Sequence, residues 1–306
     1  MRVAVVDMGT NSTRLLVADV EDGRVEEIER RSTVTRLGRG VDISQQLATE
    51  AIDDVANAIG EYIEIYEPLK PDAVSVLATS AVRDAENSGA FIAELRERFA
   101  MNARILTGDE ESRLTYLGAV ADRPAAYGTL VVDIGGGSTE IVVGSGQDVT
   151  FHASLQVGTV RHTERYIRAD PPTASELDAL AEDVRKLMFA ELAAAEFFDI
   201  GVGIAVAGTP TSLAAIEQEL DPYDPEKVHG YVLTLDGIQR MYSMLSGKSL
   251  EERLKVTGLH PGRAPTIVAG VVILIQVMRA FGLQTIEVSE HDILHGVALD
   301  AAATRS

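Results

Sequence analysis

Two aspartates stand in the same short phrase. Asp7 lies in VVDMGTNSTRLLVA, which begins at Val5, and Asp133 in VVDIGGGSTEIVVG, which begins at Val131. Each ends an apolar run, where a strand would deliver its side chain to the edge of a sheet, and each is followed two residues later by Gly9 or Gly135. Glycine permits φ > 0 and lets backbone N–H groups turn toward a bound anion. Thr10, Asn11 and Ser12 in the first copy, and Gly136, Gly137 and Ser138 in the second, leave room and supply donors. A carboxylate beside a phosphate-sized anion repels it unless a cation sits between. The pattern therefore points to a hard cation such as Mg²⁺ bridging carboxylate and phosphate. The bland reading is a β-hairpin with a convenient turn, and recurrence at the same place in two similar halves argues against it. After Ser-Thr the copies part: Arg14 in the first, Glu140 in the second.

Bulk properties bound what such a site could serve. The chain of 306 residues is long for one core and suits two domains. It has no cysteine, which rules out disulfides and thiolate metal sites and suits a reducing compartment. The formal net charge of −20 disfavours nonspecific binding to nucleic acid or to a membrane surface. It leaves an anionic substrate possible, provided a local basic pocket or a cation receives it. The N-terminus carries Asp7 where a signal peptide would be apolar, and the run from Ile267 to Met278 is too short to span a bilayer. A cytoplasmic protein with no membrane or nucleic-acid partner is expected.

The elements that must position these residues follow from periodicity and turn residues. Strands are predicted over 2–7, 14–20 and 25–31, then a helix over 47–66 with Ala51, Val55, Ile59 and Ile63 at four-residue spacing. A strand over 73–78, a helix over 88–99, a strand over 103–106 and an acidic-led helix over 110–120 follow. Arg123 to Gly128 reads as a junction, giving domains 1–124 and 125–306, with the last helix free to pack back on the first domain. The pattern then restarts with strands over 130–133, 140–143 and 149–154 and a helix over 173–198. A strand over 201–207 precedes helices over 210–219, 235–245, 250–255 and 264–281, a strand over 285–288 and a final helix over 293–303. Each half opens β-turn-β-turn-β, the mark of one internal duplication.

The paired Asp-X-Gly-X-X-Ser-Thr hairpins, with Ala207-Gly208-Thr209-Pro210-Thr211-Ser212-Leu213, resemble the actin/Hsp70/sugar-kinase ATPase fold. That resemblance implies an α/β protein of two ribonuclease-H-like (actin-like ATPase) domains around a central cleft. Further segments narrow it. Thr79 to Ala85, Gly108 to Arg113, Val132 to Glu140 and Val157 to Arg161 are similar to signatures of the exopolyphosphatase / guanosine pentaphosphate phosphohydrolase (Ppx/GppA) family, in the right order along nearly the whole chain.

The resemblance implies roles. Glu111 matches the family's general base or water-positioning residue, and a carboxylate can orient a water in line with a scissile P–O bond. Glu110 is the fallback. The bland alternative is that both simply favour a helix N-terminus. Asp133 and Glu140 match positions that hold a divalent cation, with Asp7 their partner across the cleft. Mg²⁺ needs few carboxylates, and Mn²⁺ can replace it. Arg83 is a phosphate clamp or, alternatively, a salt-bridge partner of Asp84 or Glu86. Arg14, Arg161 and Arg263 are further candidates for phosphate. Gly208, Thr209 and Ser212 occupy the segment that contacts adenosine in the ATPases, and here hold phosphate oxygens or only cap a helix. His291 and His295 have a chelating spacing, but surface or interface histidines are the commoner outcome. Their segment, Ser289 to Gly296, departs from the family's Gly-Leu-Arg-Glu-Gly form.

Three functions compete at this stage. The first is a Mg²⁺-dependent hydrolase releasing orthophosphate from inorganic polyphosphate, with guanosine pentaphosphate as the alternative substrate. The resemblance is to a short form without the C-terminal HD-like module of longer relatives, so short polyphosphate chains are expected. The second is an actin-fold ATPase or sugar kinase, against which the Glu111 segment argues. The third is a non-catalytic sensor of polyphosphate or alarmone, which would not need Glu111. The resemblance also implies a homodimer.

Overall fold

The computed structural model describes residues 1–123, 128–192 and 200–304. The expected junction after Arg123, the boundary at 124/125 and the distal end of the helix expected through Phe198 fall outside the described residues. The chain divides into two compact units, Met1–Arg123 with Asp292–Ser306, and Pro124–His291.

The first unit is built on β1 (Arg2–Met8), β2 (Ser12–Glu21), β3 (Arg24–Val34), β4 (Ala73–Ala78) and β5 (Arg104–Ile105), in the order β3-β2-β1-β4-β5. The three opening strands are antiparallel, whereas β4 and β5 join parallel to β1. β1 is apolar at nearly every position because both its faces are covered. Val3 and Val5 pack with Leu106, Leu114, Ile293 and Val297 on one face. Ala4, Val6 and Met8 pack with Val55, Ile59, Tyr62 and Phe91 on the other. Asp7 shares the face of Val3 and Val5 by the two-residue period. That face carries α5 (Gly108–Val120) and α13 (Ile293–Ala303), and the other carries α2 (Thr49–Tyr66) and α4 (Ser88–Phe99). The single-turn helices α1 (Val41–Ser44) and α3 (Ser80–Arg83) stand where no element was expected. α5 and α13 touch backbone to backbone. A β-carbon on Gly118 would lie 1.9 Å from the Asp292 carbonyl, and one on Gly296 1.8 Å from that of Leu114.

The second unit repeats the opening with β6 (Thr129–Ile134), β7 (Thr139–Ser145) and β8 (Asp148–Leu155), followed by α6 (Thr159–Tyr166) and α7 (Ala174–Leu192). β9 (Val202–Val206), α8 (Gly208–Glu217), α9 (Pro225–Val228), β10 (Val232–Thr234), α10 (Leu235–Ser246), α11 (Leu250–Arg253), α12 (Ile267–Ala280) and β11 (Thr285–Val288) complete it. The sheet order is β10-β11-β9-β6-β7-β8, with β9 parallel to both β6 and β11. α12 is buried from Ile267 through Met278, as expected of a helix apolar on all sides. Among the described residues no helix is long and apolar enough to cross a membrane. The α/β class expected from the sequence holds: two mixed sheets, each led by a β-β-β meander.

Candidate active site

The two copies of the repeated phrase fold into the same turn. In the first unit the Gly9 N–H donates to the Ser12 carbonyl at 3.0 Å, and in the second the Gly135 N–H donates to the Ser138 carbonyl at 3.0 Å. Side chains are limited by the same close approach. A β-carbon on either glycine would lie 3.0 Å from that carbonyl oxygen. The strand register then places the divergent residues opposite the aspartates: Asp7 faces Arg14, and Asp133 faces Glu140.

In the first unit, Thr10 and Ser12 are buried and Asn11 is half-buried. Their backbone is anchored from behind. The Thr10 carbonyl accepts from Gly38 N–H at 2.8 Å, and the Asn11 carbonyl accepts from Thr35 and Arg36. Arg14 donates to Asp7 Oδ2 through Nε at 3.0 Å and Nη2 at 2.7 Å, and its Nη1 contacts Asp292 Oδ2. Arg14 therefore bridges two carboxylates here. Asp292 caps α13 by accepting from the Leu294 N–H at 3.0 Å. Burial drives Asp7 above its ordinary carboxylate range, against the pull of Arg14. Burial acts on Asp292 too, but Arg14, Arg30 and His295 outweigh it and hold it down to about 2. Asp7 Oδ1 is buried and has no hydrogen-bond partner among the described residues.

Glu110 and Glu111 are neighbours with different surroundings. Glu110 closes a capping box: its Oε2 accepts from Thr107 N–H at 2.9 Å, while Thr107 Oγ1 accepts from Glu110 N–H at 3.2 Å. These bonds lower its pKa. Glu111 points inward, 7% exposed, and its Oε2 accepts from Arg83 Nη1 at 3.0 Å. Burial pushes its pKa up to about 7 despite Arg83 and Arg14, with Asp7 adding to the rise. Arg83 stands at the end of α3 and also donates to the Leu106 carbonyl at 2.7 Å. Its ion-pair partner is thus Glu111, not the Asp84 or Glu86 beside it in sequence. Its Nη2 is buried with no hydrogen-bond partner among the described residues, which leaves the two N–H groups of that nitrogen for a further acceptor.

In the second unit, Asp133 and Glu140 are buried side by side on adjacent strands. Cross-strand neighbours have β-carbons about 5 Å apart. Ser154 of β8 donates to Glu140 Oε1 at 2.9 Å. The carbonyls of Gly135, Gly136 and Gly137 are held by the start of α6, and Arg161 Nε donates to the Gly137 carbonyl at 2.7 Å. Gly208 and Thr209 open α8. A β-carbon at Gly208 would lie 1.1 Å from Arg263 Nη1, so only glycine admits that guanidinium. Ser212 donates back to the Gly208 carbonyl at 2.6 Å, and Thr209 is buried against Gly270.

His291 precedes α13 rather than lying on it, and its ring stacks 4.4 Å from that of His229. His295 is buried, with Nε2 3.0 Å from Glu27 Oε1. Three residues escaped the sequence reading: Asp292, Ser154 and His162. Asp292 carried a legible signal, since an aspartate ahead of an apolar helical run is an N-cap. Ser154 carried none because its partner Glu140 lies on another strand, and His162 carried none because α6 was not expected as a helix.

Comparison with known proteins identifies the family. The Ppx/GppA phosphatase family matches residues 16–305. Exopolyphosphatase 2 of Mycobacterium tuberculosis is 35% identical over 315 aligned positions, which cover 98% of each chain. The crystal structure of an exopolyphosphatase-like protein, 30% identical, covers 100% of this chain and 99% of its own with a TM-score of 0.95. That of the Aquifex aeolicus Ppx/GppA family member, 32% identical with the same coverage, gives 0.85. The chain belongs to the Ppx/GppA phosphatase family, and it is accordingly an enzyme, a phosphoanhydride hydrolase.

Proposed function

We propose that the protein is an exopolyphosphatase that removes terminal orthophosphate from inorganic polyphosphate with the help of Mg²⁺, or Mn²⁺ in its place. The observation that carries this reading is Glu111: a buried carboxylate held near neutrality, ion-paired to an arginine with one buried nitrogen left over. Arg83 Nη2 receives a phosphate oxygen, and Glu111 takes the proton from the water aligned behind that phosphorus. A base with a pKa of about 7 is matched to proton transfer near neutral pH. Asp133 and Glu140 offer two adjacent carboxylates, a donor set that fits a hard cation. When bound, such an ion neutralises charge on the phosphate oxygens. The peptide N–H groups of the Gly135–Ser138 turn orient the anion, and Arg161 stays close to that turn.

Short chains are the expected preference, with guanosine pentaphosphate as the competing substrate of the same chemistry. A homodimer in the cytoplasm completes the proposal, and light scattering of the purified protein tests the first part. The central experiment measures phosphate release from polyphosphates of defined length, guanosine pentaphosphate and ATP, with Mg²⁺ or EDTA. Glu111→Gln should abolish turnover and leave substrate binding largely intact. Near-full activity in that variant would remove Glu111 as the base. Faster release per chain end from very long polymer would remove the preference for short chains.

A further inference from the structure

α6 begins on the back of the second glycine turn. The N–H of Thr159 donates to the Gly135 carbonyl at 2.9 Å, and those of Val160 and Arg161 to the Gly136 carbonyl at 2.9 and 3.2 Å. Thr139 Oγ1 ties the other side of the turn to the Val157 carbonyl at 2.7 Å. Because a trans peptide points its C=O and N–H in opposite directions, holding these carbonyls on α6 turns the N–H groups of Gly136, Gly137 and Ser138 away from it. The helix start thus sets the direction of the cradle's donors.

Gly158, the N-cap of α6, is pressed against the same turn. A β-carbon there would lie 2.3 Å from the Gly136 carbonyl oxygen and 2.5 Å from the Gly137 carbonyl carbon. Its own N–H is buried and needs an acceptor. That acceptor is Nδ1 of His162, at 3.3 Å, on the next turn of the helix. The imidazole is fully buried. An accepting Nδ1 places the ring proton on Nε2, and Nε2 lies 3.3 Å from Asp183 Oδ2 of α7. A chain of contacts therefore runs Asp183, His162, Gly158, glycine turn.

We infer that His162 is a positioning residue for the anion-binding turn: its Nδ1, by accepting from the Gly158 N–H, fixes Gly158 and through it the direction of the Gly136–Ser138 amides. A leucine or phenylalanine would fill the same space, but neither could accept from Gly158. The charged groups around the ring are Asp183 from α7 and Arg161 and Arg165 from α6 itself, with the Tyr166 ring 5.8 Å away. Burial, with help from the two arginines, lowers the imidazole pKa to about 4, so the accepting form persists at neutral pH. The inference rests on the reading of this turn as a phosphate cradle.

The test combines kinetics with two measurements that need no substrate. His162→Leu should raise KM for tripolyphosphate roughly tenfold while kcat changes less than about threefold, the signature of lost binding made equally in ground and transition states. His162→Asn, whose Oδ1 can replace Nδ1 as acceptor, should bring KM back to within about threefold of the parent. Amide exchange of the full-length protein without substrate should quicken roughly tenfold over 135–138 and 158–162 in His162→Leu, and remain unchanged over 9–12. Nitrogen-15 spectra of the parent at neutral pH should show His162 protonated on Nε2 only. The inference is overturned by equal KM losses in the Leu and Asn variants, by unaltered exchange over 135–138, or by a proton on Nδ1. Should the parent fail to hydrolyse tripolyphosphate, the function proposed above fails on that result alone. Exchange and tautomer still decide the role of His162, and the tautomer needs no variant that folds poorly.

Discussion

The two hairpins share a backbone and oppose each other in charge. Both close with a Gly N–H to Ser carbonyl bond of 3.0 Å, and both put an aspartate on the strand entering the turn. In the first, the residue facing the aspartate across the ladder is Arg14, which neutralises Asp7 and reaches on to Asp292. In the second it is Glu140, so two carboxylates lie together. The two copies share the residues that shape the turn and differ in charge at the position facing the aspartate.

Converting one hairpin into the other is the strongest test of that contrast. Glu140→Arg, which gives the second hairpin the charge of the first, should reduce Mg²⁺-dependent phosphate release by about a thousandfold, without rescue by added Mg²⁺. If release persisted at a tenth of the parent rate or more, the cation assignment would not stand.

The next effect is on stability and belongs to the first hairpin. Arg14→Leu leaves Asp7 and Asp292 buried without their shared counter-charge, which should destabilise the fold by about 3 kcal/mol in denaturant titration. Glu140→Gln, relieving a like-charge pair, should destabilise far less or not at all. Equal losses in the two variants would erase the distinction between the hairpins.

A third test uses pH, because Glu111 of the first unit and His162 of the second are buried titrating groups whose shifts differ in sign. Glu111 of the first unit has its folded pKa raised from 4.5 to about 7, so the folded state holds the extra proton in that interval. Its contribution to stability is fully present below 4.5 and is lost as pH rises through about 7. His162 of the second unit has its folded pKa lowered from 6.5 to about 4, so the unfolded state holds the extra proton. Its contribution is present above 6.5 and is lost as pH falls through about 4. Unfolding followed against pH should show Glu111→Gln flattening the neutral side of the profile and His162→Asn the acid side. Phosphate release should rise as pH passes about 7, and that rise should vanish with Glu111→Gln.

The smallest expected effect tests what the hairpins share. Gly9→Ala and Gly135→Ala each push a β-carbon to 3.0 Å from the carbonyl that closes the turn. Both should lose about 1 kcal/mol, and by similar amounts. A large difference between them would mean that the two turns are not equivalent.

Much of this was legible before any coordinates. The strands over 73–78 and 285–288 and the helices over 88–99 and 293–303 fall where periodicity and turn residues put them. α6 was missed as a helix because its eight residues carry only a short apolar stripe. The acidic start of α5 was ambiguous in sequence between capping and catalysis, and the structure divides the pair: Glu110 caps, whereas Glu111 is buried against Arg83. Arg14 was left open between phosphate contact and ion pair, and the bonds it makes are to Asp7 and Asp292.

The amino-acid sequence by itself determined the duplicated phrase, the alternation of strands and helices and the residue types able to handle phosphate. These are local properties, fixed by side-chain period, by glycine's backbone freedom and by charge. Only the tertiary structure decided which of those residues are paired, buried or left with a spare donor. That Arg83 meets Glu111, that Arg14 meets Asp292 and that His162 meets Asp183 depends on packing between segments far apart in the chain. The resulting changes in solvation move Glu111 and His162 from their ordinary protonation in opposite directions.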